Sequence, residues 1–193
     1  VILPCELLPK NGDLLKDFVV KHASNWQLPT DFFSWIDEKC RFFNSLVDRI
    51  VPGFPAHLDL KEKENDDFVV QTEPYCFWAI EGEENDKSLL PFLDCKAEVL
   101  LSPSIDFYSL RKIRILNGLH TFMAAKGLLK GIETVGEYVS DEENLKELNQ
   151  LLETEIFPSL SASKVELQHY AHQVLDRFRN PFVSHKLADI SLN

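Results

Sequence analysis

The chain has 193 residues, of which 45% are hydrophobic and 26% charged, with a net charge of -11. That length supports one domain with a real core, or a domain plus a piece of another. The acidity disfavours nucleic acid and anionic membrane surfaces as partners, and the apolar runs fall far short of a membrane span.

Val1 to Leu8 has the pattern of the end of a buried strand, running into the turn signals of PKNGD. Asp13 is expected to cap a helix to about Ser24, with Leu14, Leu15, Phe18 and Val19 as its apolar stripe. Thr30 is expected to cap a second helix holding Phe32, Phe33, Trp35 and Ile36. In RFFNSLVDRIVPGFP, Asn44, Asp48 and Arg49 are set in an apolar frame before Pro52, Gly53 and Pro55 force turns. Asp48 and Arg49 form either a local ion pair that fixes the loop or part of a site.

Lys61 to Asp67 and the stretch EGEENDKS are solvated charged loops. Between them, Phe68 to Ile80 has the β-branched and aromatic content of strands, broken at Pro74. Glu73 inside it is a candidate buried carboxylate. Ala97 to Leu101 is a further short strand.

Asp106 to Gly131 forms a long helix, with Asp106 as N-cap and Gly131 as stop. Ile132 to Val139 continues it briefly. Asp141 caps a helix through Glu155, ended by Phe157 and Pro158. Ser163 and Glu166 have capping-box spacing and open a helix carrying Leu167, Tyr170, Ala171, Val174, Leu175 and Phe178, which Pro181 ends. A last helix begins before Asn193. The fold class is mainly α with a minor β portion: helical after about residue 100, mixed before it.

The four cysteines, Cys5, Cys40, Cys76 and Cys95, form no CxxC pair. They are expected to be reduced and mostly buried, as in a cytoplasmic protein. His169 and His172 stand at helical i, i+3 spacing without a nearby third ligand, so no metal is expected. The seven glycines never approach a nucleotide-binding spacing.

The central helix carries the chemistry. Lys112, Asn117 and His120 sit among Ile113, Ile115, Leu116, Leu119, Phe122 and Met123. In an unbroken α-helix, Asn117 lies about 140° around the axis from Lys112 and His120 about 80°, so the three share one half of its surface. Lys112 is two turns below His120, roughly 12 Å, and must reach up the helix. A lysine in apolar surroundings loses solvation of its charged form and becomes a usable proton donor near pH 7. An asparagine amide can donate to an oxygen gaining charge, and a neutral histidine can orient a hydroxyl. Together they suit a carbonyl-to-alcohol interconversion. The competing reading has Lys112 snorkelling to solvent, Asn117 bonding a carbonyl and His120 satisfied in the core.

The pattern KxxxxNxxH in RKIRILNGLHT resembles the catalytic signature of the long-chain polyol (mannitol) dehydrogenases. NSLVDRI, TEPYCFWAIEG and DRFRNPF resemble further blocks of that family in the same order, and PCELLPKNGDLLK resembles the segment leaving the last strand of its dinucleotide-binding domain. PCEL, LVDRIVPGFP and RILNGLHT look most like its uronate branch, whose substrates are tagaturonate and altronate. The resemblance implies a helical domain like the C-terminal domain of 6-phosphogluconate dehydrogenase, and NAD-dependent hydride transfer without metal.

By resemblance, Lys112 is the general acid/base, Asn117 helps hold the reacting oxygen and His120 hydrogen-bonds the substrate. A sugar-acid site is expected, with contributions from Asn44, Asp48, Arg49, Glu73, Arg177 and Asn180 in those blocks and from Lys186 beyond them. Arg49, Arg111, Arg114 and Lys186 are the cations available to a carboxylate. The mannitol branch has an asparagine at the position of Leu7 and a glutamate at that of Ser109; both departures argue against mannitol. Fructuronate/mannonate or polyol turnover is the alternative within the family. A non-catalytic helical interaction module is the alternative outside it.

Family members are longer than this chain. Residues 1–25 are therefore expected to be a remnant of the dinucleotide-binding domain with a linking helix, and residues 26–193 a helical substrate and catalytic domain cut short at its C-terminus. NAD would then be bound mainly by a domain outside this chain. Such a fragment is expected to be inactive alone and to self-associate through uncovered apolar surface.

Overall fold

The computed structural model describes residues 1–55, 59, 61, 66–95 and 98–192. Of the expected loop from Lys61 to Asp67, Lys61, Asp66 and Asp67 are described; Ala97 and Asn193 lie outside the described residues. The chain divides into two compact units, Val1–Asp48 with Cys76–Ser109, and Arg49–Tyr75 with Leu110–Asn193.

The first unit carries α1 (Asn11–Asn25), α2 (Thr30–Lys39) and the strands β1 (Ser45–Asp48), β2 (Phe77–Glu81) and β3 (Glu98–Ser102). β1 runs antiparallel to β2, with Ser45 opposite Ile80, and β3 runs parallel to β2, with Phe77 opposite Glu98. Phe43, Ile80 and Leu90 form its buried cluster, flanked by Leu3, Trp78, Phe92, Leu93, Val99 and Leu101. The run from Phe68 to Ile80 is not one strand: pairing begins at Phe77, after Pro74. Val1 to Leu8 forms no strand beyond a bridge from Ile2 to Phe42.

Helix α1 starts two residues before Asp13, because Asn11 is a buried hub. Its amide donates to the carbonyls of Pro4 (3.1 Å), Glu6 (3.0 Å) and Ser45 (3.0 Å), and its oxygen accepts from the Ser45 N–H (2.8 Å). Gly12 beside it meets the Phe43 backbone so closely that a Cβ would lie 2.3 Å from the Phe43 oxygen. Neither Asp13 nor Thr30 caps by its side chain; Lys10 and Pro29 hold the cap positions.

The second unit holds the large core. Ile115, Leu119, Met123, Tyr138, Leu148, Val174 and Leu187 are fully buried within it. The central helix consists of α3 (Asp106–Arg111), a π-helical turn (Lys112–Asn117) and α4 (Gly118–Leu129), and the division between units falls inside α3. Gly131 follows with φ 73°, the left-handed conformation that glycine adopts without strain. α5 (Val135–Ser140) is a separate helix, opened by a Thr134–Glu137 capping box.

Asp141 caps α6 (Glu142–Leu151), its carboxylate accepting from the Asn144 N–H at 2.8 Å. A second π-helical turn, Leu152–Ile156, prolongs it to Phe157. Ser163 accepts from the Glu166 N–H at 3.2 Å and opens α7 (Lys164–Phe178). The short α8 (Leu187–Ile190) packs on α4, where a Cβ on Gly127 would lie 2.4 Å from Leu187. The fold is thus mainly helical with a minor sheet. The cysteines depart from expectation: all four are thiols, but Cys5 and Cys95 are exposed and Cys40 and Cys76 half-buried.

Candidate functional site

The π-helical turn changes the geometry of the central helix. A π turn takes about 4.4 residues, so its first and last members, Lys112 and Asn117, lie about 50° apart instead of about 140°. His120, three α-helical residues further on, then falls within about 10° of Lys112. The turn thus stacks Lys112 and His120 along one line of the helix. That line faces inward, with Lys112 9% and His120 8% exposed.

The surroundings of His120 complete the cluster. Phe178, at the end of α7, stacks on its ring at 4.5 Å between centroids, and His185 meets it edge-on at 4.7 Å. The segment bearing His185 is pinned on both sides: its carbonyl accepts from the Val135 N–H at 3.0 Å, and the Leu187 N–H donates to the Glu133 carbonyl at 2.9 Å. His120 Nε2 and His185 Nδ1 are buried and take no hydrogen bond from the described protein. Burial, and then the nearby His185, Arg177 and Lys112, lower the pKa of His120 from 6.5 to about 3. Burial also lowers that of His185, opposed by Asp189 and Glu73. Both rings are neutral at pH 7, and each offers one donor and one acceptor.

Glu73 is buried, as its context suggested, and has a defined task. Its carboxylate accepts from Arg177 Nε (3.1 and 3.0 Å), from Arg177 Nη2 (2.7 Å) and from the Ile50 N–H (2.6 Å). Arg177 also lies over the Tyr75 ring at 4.1 Å. Arg49 donates through Nε and Nη2 to the Glu73 carbonyl at 3.1 and 2.9 Å. Glu73 therefore ties the 49–50 turn and the end of α7 into one support, with Arg177 close enough to act on His120.

Other expected site residues lie elsewhere. Asn117 is exposed; with Ile113, Arg114, Thr121, Leu151 and Ile156 it lines an open, mostly apolar depression that includes neither Lys112 nor His120. Asn180 sits in the turn after α7, where its side chain accepts from the Phe182 N–H at 3.0 Å. Lys186 is exposed at the start of α8, bridging by its backbone to Thr134. Arg114 donates to the Ser159 carbonyl at 2.7 Å, and Arg111 lies over Tyr170 at 4.1 Å.

In the first unit, Asn44 is occupied: its oxygen accepts from the Asp13 N–H, and its amide donates to Asp13 and Glu81, each at 3.0 Å. Asp48 is buried at the end of β1. His185 was not singled out by sequence reasoning; the only available signal was its place just after the DRFRNPF block.

Among the described residues no group of three or more metal-ligating side chains comes together, and no helix is long and apolar enough to cross a membrane.

Residues 1–91 match the family model of the mannitol dehydrogenase Rossmann domain, and residues 104–193 that of the mannitol dehydrogenase C-terminal domain. Over its whole length the chain is 41% identical to an altronate oxidoreductase of Halalkalibacterium halodurans, 40% to that of Bacillus subtilis and 36% to that of Shigella flexneri. It spans 38% of the first relative and 41% of each of the other two.

A D-sorbitol dehydrogenase in substrate-free form superposes with a TM-score of 0.77 at 26% identity, over 98% of this chain and 39% of that one. The Pseudomonas fluorescens mannitol 2-dehydrogenase, in ternary complex with NAD and D-mannitol, superposes with a TM-score of 0.69 at 24% identity, over 97% of this chain and 38% of that one. With both family models matched in order and relatives aligned along its full length, the chain belongs to the mannitol dehydrogenase family.

Proposed function

We propose that this chain supplies the substrate-binding and proton-transfer half of an NAD-dependent oxidoreductase that interconverts tagaturonate and altronate. The observation that carries the reading is the burial of both Lys112 and His120 on a helix whose π turn, by ideal geometry, brings them to one side. The names and identities of the curated relatives favour the uronate substrate over mannitol.

In the whole protein NADH would deliver hydride to the keto carbon, bound mainly by residues outside those described here. The contribution of this chain is the proton. Lys112 Nζ gives its proton to the oxygen that gains charge as the carbonyl is reduced, and takes it back in the oxidative direction. Neutral His120 hydrogen-bonds a substrate hydroxyl and holds the sugar against Lys112. The family resemblance gives Asn117, exposed at the other end of the π turn from Lys112, the part of an amide donor to that oxyanion. The buried Glu73–Arg177 pair fixes the end of α7 near His120. The Nε2 of His120, without a partner from the protein, is available to a substrate hydroxyl.

The test is NADH oxidation by the intact protein with tagaturonate, fructuronate and fructose, the keto sugar of mannitol, side by side. Turnover of tagaturonate above the others is expected. Turnover of fructuronate or fructose instead would keep the chemistry and move the substrate. No turnover of any of them would favour a non-catalytic helical module.

A further inference from the structure

We infer that His185 is a second substrate-reading residue, which together with His120 forms a two-imidazole cradle for two hydroxyls of the open-chain sugar acid. The inference rests on the catalytic reading of Lys112 and His120 but adds a residue to it. Its basis is geometric: two rings edge-to-face at 4.7 Å, one unpartnered nitrogen on each, both buried. A buried imidazole nitrogen without a partner is costly, and two adjacent ones are retained where a ligand satisfies them.

The chemistry of the occupant follows from the surroundings. A metal is disfavoured because Glu73, the carboxylate felt by His185, is committed to Arg177, and no third ligand is present among the described residues. Of the two cations felt by His120, Arg177 is neutralised by Glu73 and Lys112 is the proton donor of the proposed reaction, so the neutral rings themselves offer a carboxylate or phosphate no charge. A neutral imidazole instead matches a hydroxyl, which also both donates and accepts. The edge-on packing aims the two rings in different directions, so they suit two hydroxyls of one substrate rather than a bidentate hold on one. The segment carrying His185 is held by its bonds to Glu133 and Val135, so the nitrogen is presented without an ordering cost at binding.

The experiment uses the intact protein and compares wild type with His185→Ala and His185→Gln. The substrates are tagaturonate and its monodeoxy analogues, and KM and kcat are read separately. For His185→Ala the expected result is a rise of about tenfold in KM for tagaturonate with kcat changed less, and unchanged KM for NADH. One deoxy analogue should be a poorer substrate than tagaturonate for wild type yet equal to it for His185→Ala, and His185→Gln should recover part of the loss. Penalties of the same size for every analogue in wild type and variant would overturn the inference. If the intact protein turns over a different keto sugar, the uronate reading fails, and the same comparison on that sugar's deoxy analogues decides the role of His185. As a readout independent of turnover, the Nδ1 signal of nitrogen-15-labelled His185 should shift on addition of altronate, or of that sugar's alcohol. An unmoved signal at saturating ligand would also overturn it.

Discussion

Replacing Glu73 by glutamine isolates the support beneath the site. Glu73 and Arg177 expose 2% and 6% of their side chains, so solvent screens neither charge. The glutamine keeps the volume and can still accept from the Ile50 N–H, but it leaves the guanidinium buried without a counter-charge. Removing one member of such a pair costs about 3–5 kcal/mol. For a chain of this size, that corresponds to a fall of roughly 6–20 °C in melting temperature. Replacing both residues together, Glu73→Leu with Arg177→Met, removes both desolvation costs and should recover most of the loss. The assay is urea unfolding followed by circular dichroism at 222 nm for wild type, Glu73→Gln and the double variant. A loss below about 1 kcal/mol for Glu73→Gln, or a double variant no more stable than Glu73→Gln, would refute the reasoning.

Three further outcomes follow from the same geometry. Folding lowers the pKa of His120 from its ordinary 6.5 to about 3, so the unfolded chain gains the proton first as pH falls. Its stabilising contribution is complete above pH 6.5 and is lost toward pH 3, amounting to about 2 kcal/mol lost by pH 5. Urea unfolding at pH 7 and pH 5 should show that difference in wild type and a smaller one in His120→Gln; equal differences would remove His120 as the cause. Gly12→Ala would drive a Cβ to 2.3 Å from the Phe43 oxygen; a destabilisation of about 1–3 kcal/mol is expected, and an unchanged midpoint would mean that the backbone yields freely. Asn117→Ala, at an exposed position, should leave stability within about 0.5 kcal/mol while lowering turnover, so a large stability loss would give Asn117 a structural role instead.

How far the sequence could be read depended on whether the deciding interactions were local. Asp141 and Ser163 as caps, Gly131 as the stop and the α7 stripe were all legible, because each depends on residues within one turn. The start of α1 was not, because Asn11 takes its partners from Pro4, Glu6 and Ser45, the last of these 34 positions away. The site shows the same divide. The polar residues of the central helix were visible, and so was the burial of Glu73, but its partner Arg177 lies 104 positions on. The π turn has no local signature in RKIRILN, so even spacing put Lys112 and His120 about 80° apart on the ideal helix, where the inserted turn aligns them. His185 escaped because its meaning comes from the ring it packs against, not from its sequence neighbours.

The most direct test of the account is Lys112→Ala in the intact protein, assayed by NADH oxidation with tagaturonate. If Lys112 gives the proton, turnover should fall by about three orders of magnitude or more while KM changes only a few-fold. A variant that retains turnover within about tenfold of wild type would contradict the assignment of proton transfer to the buried line of the central helix.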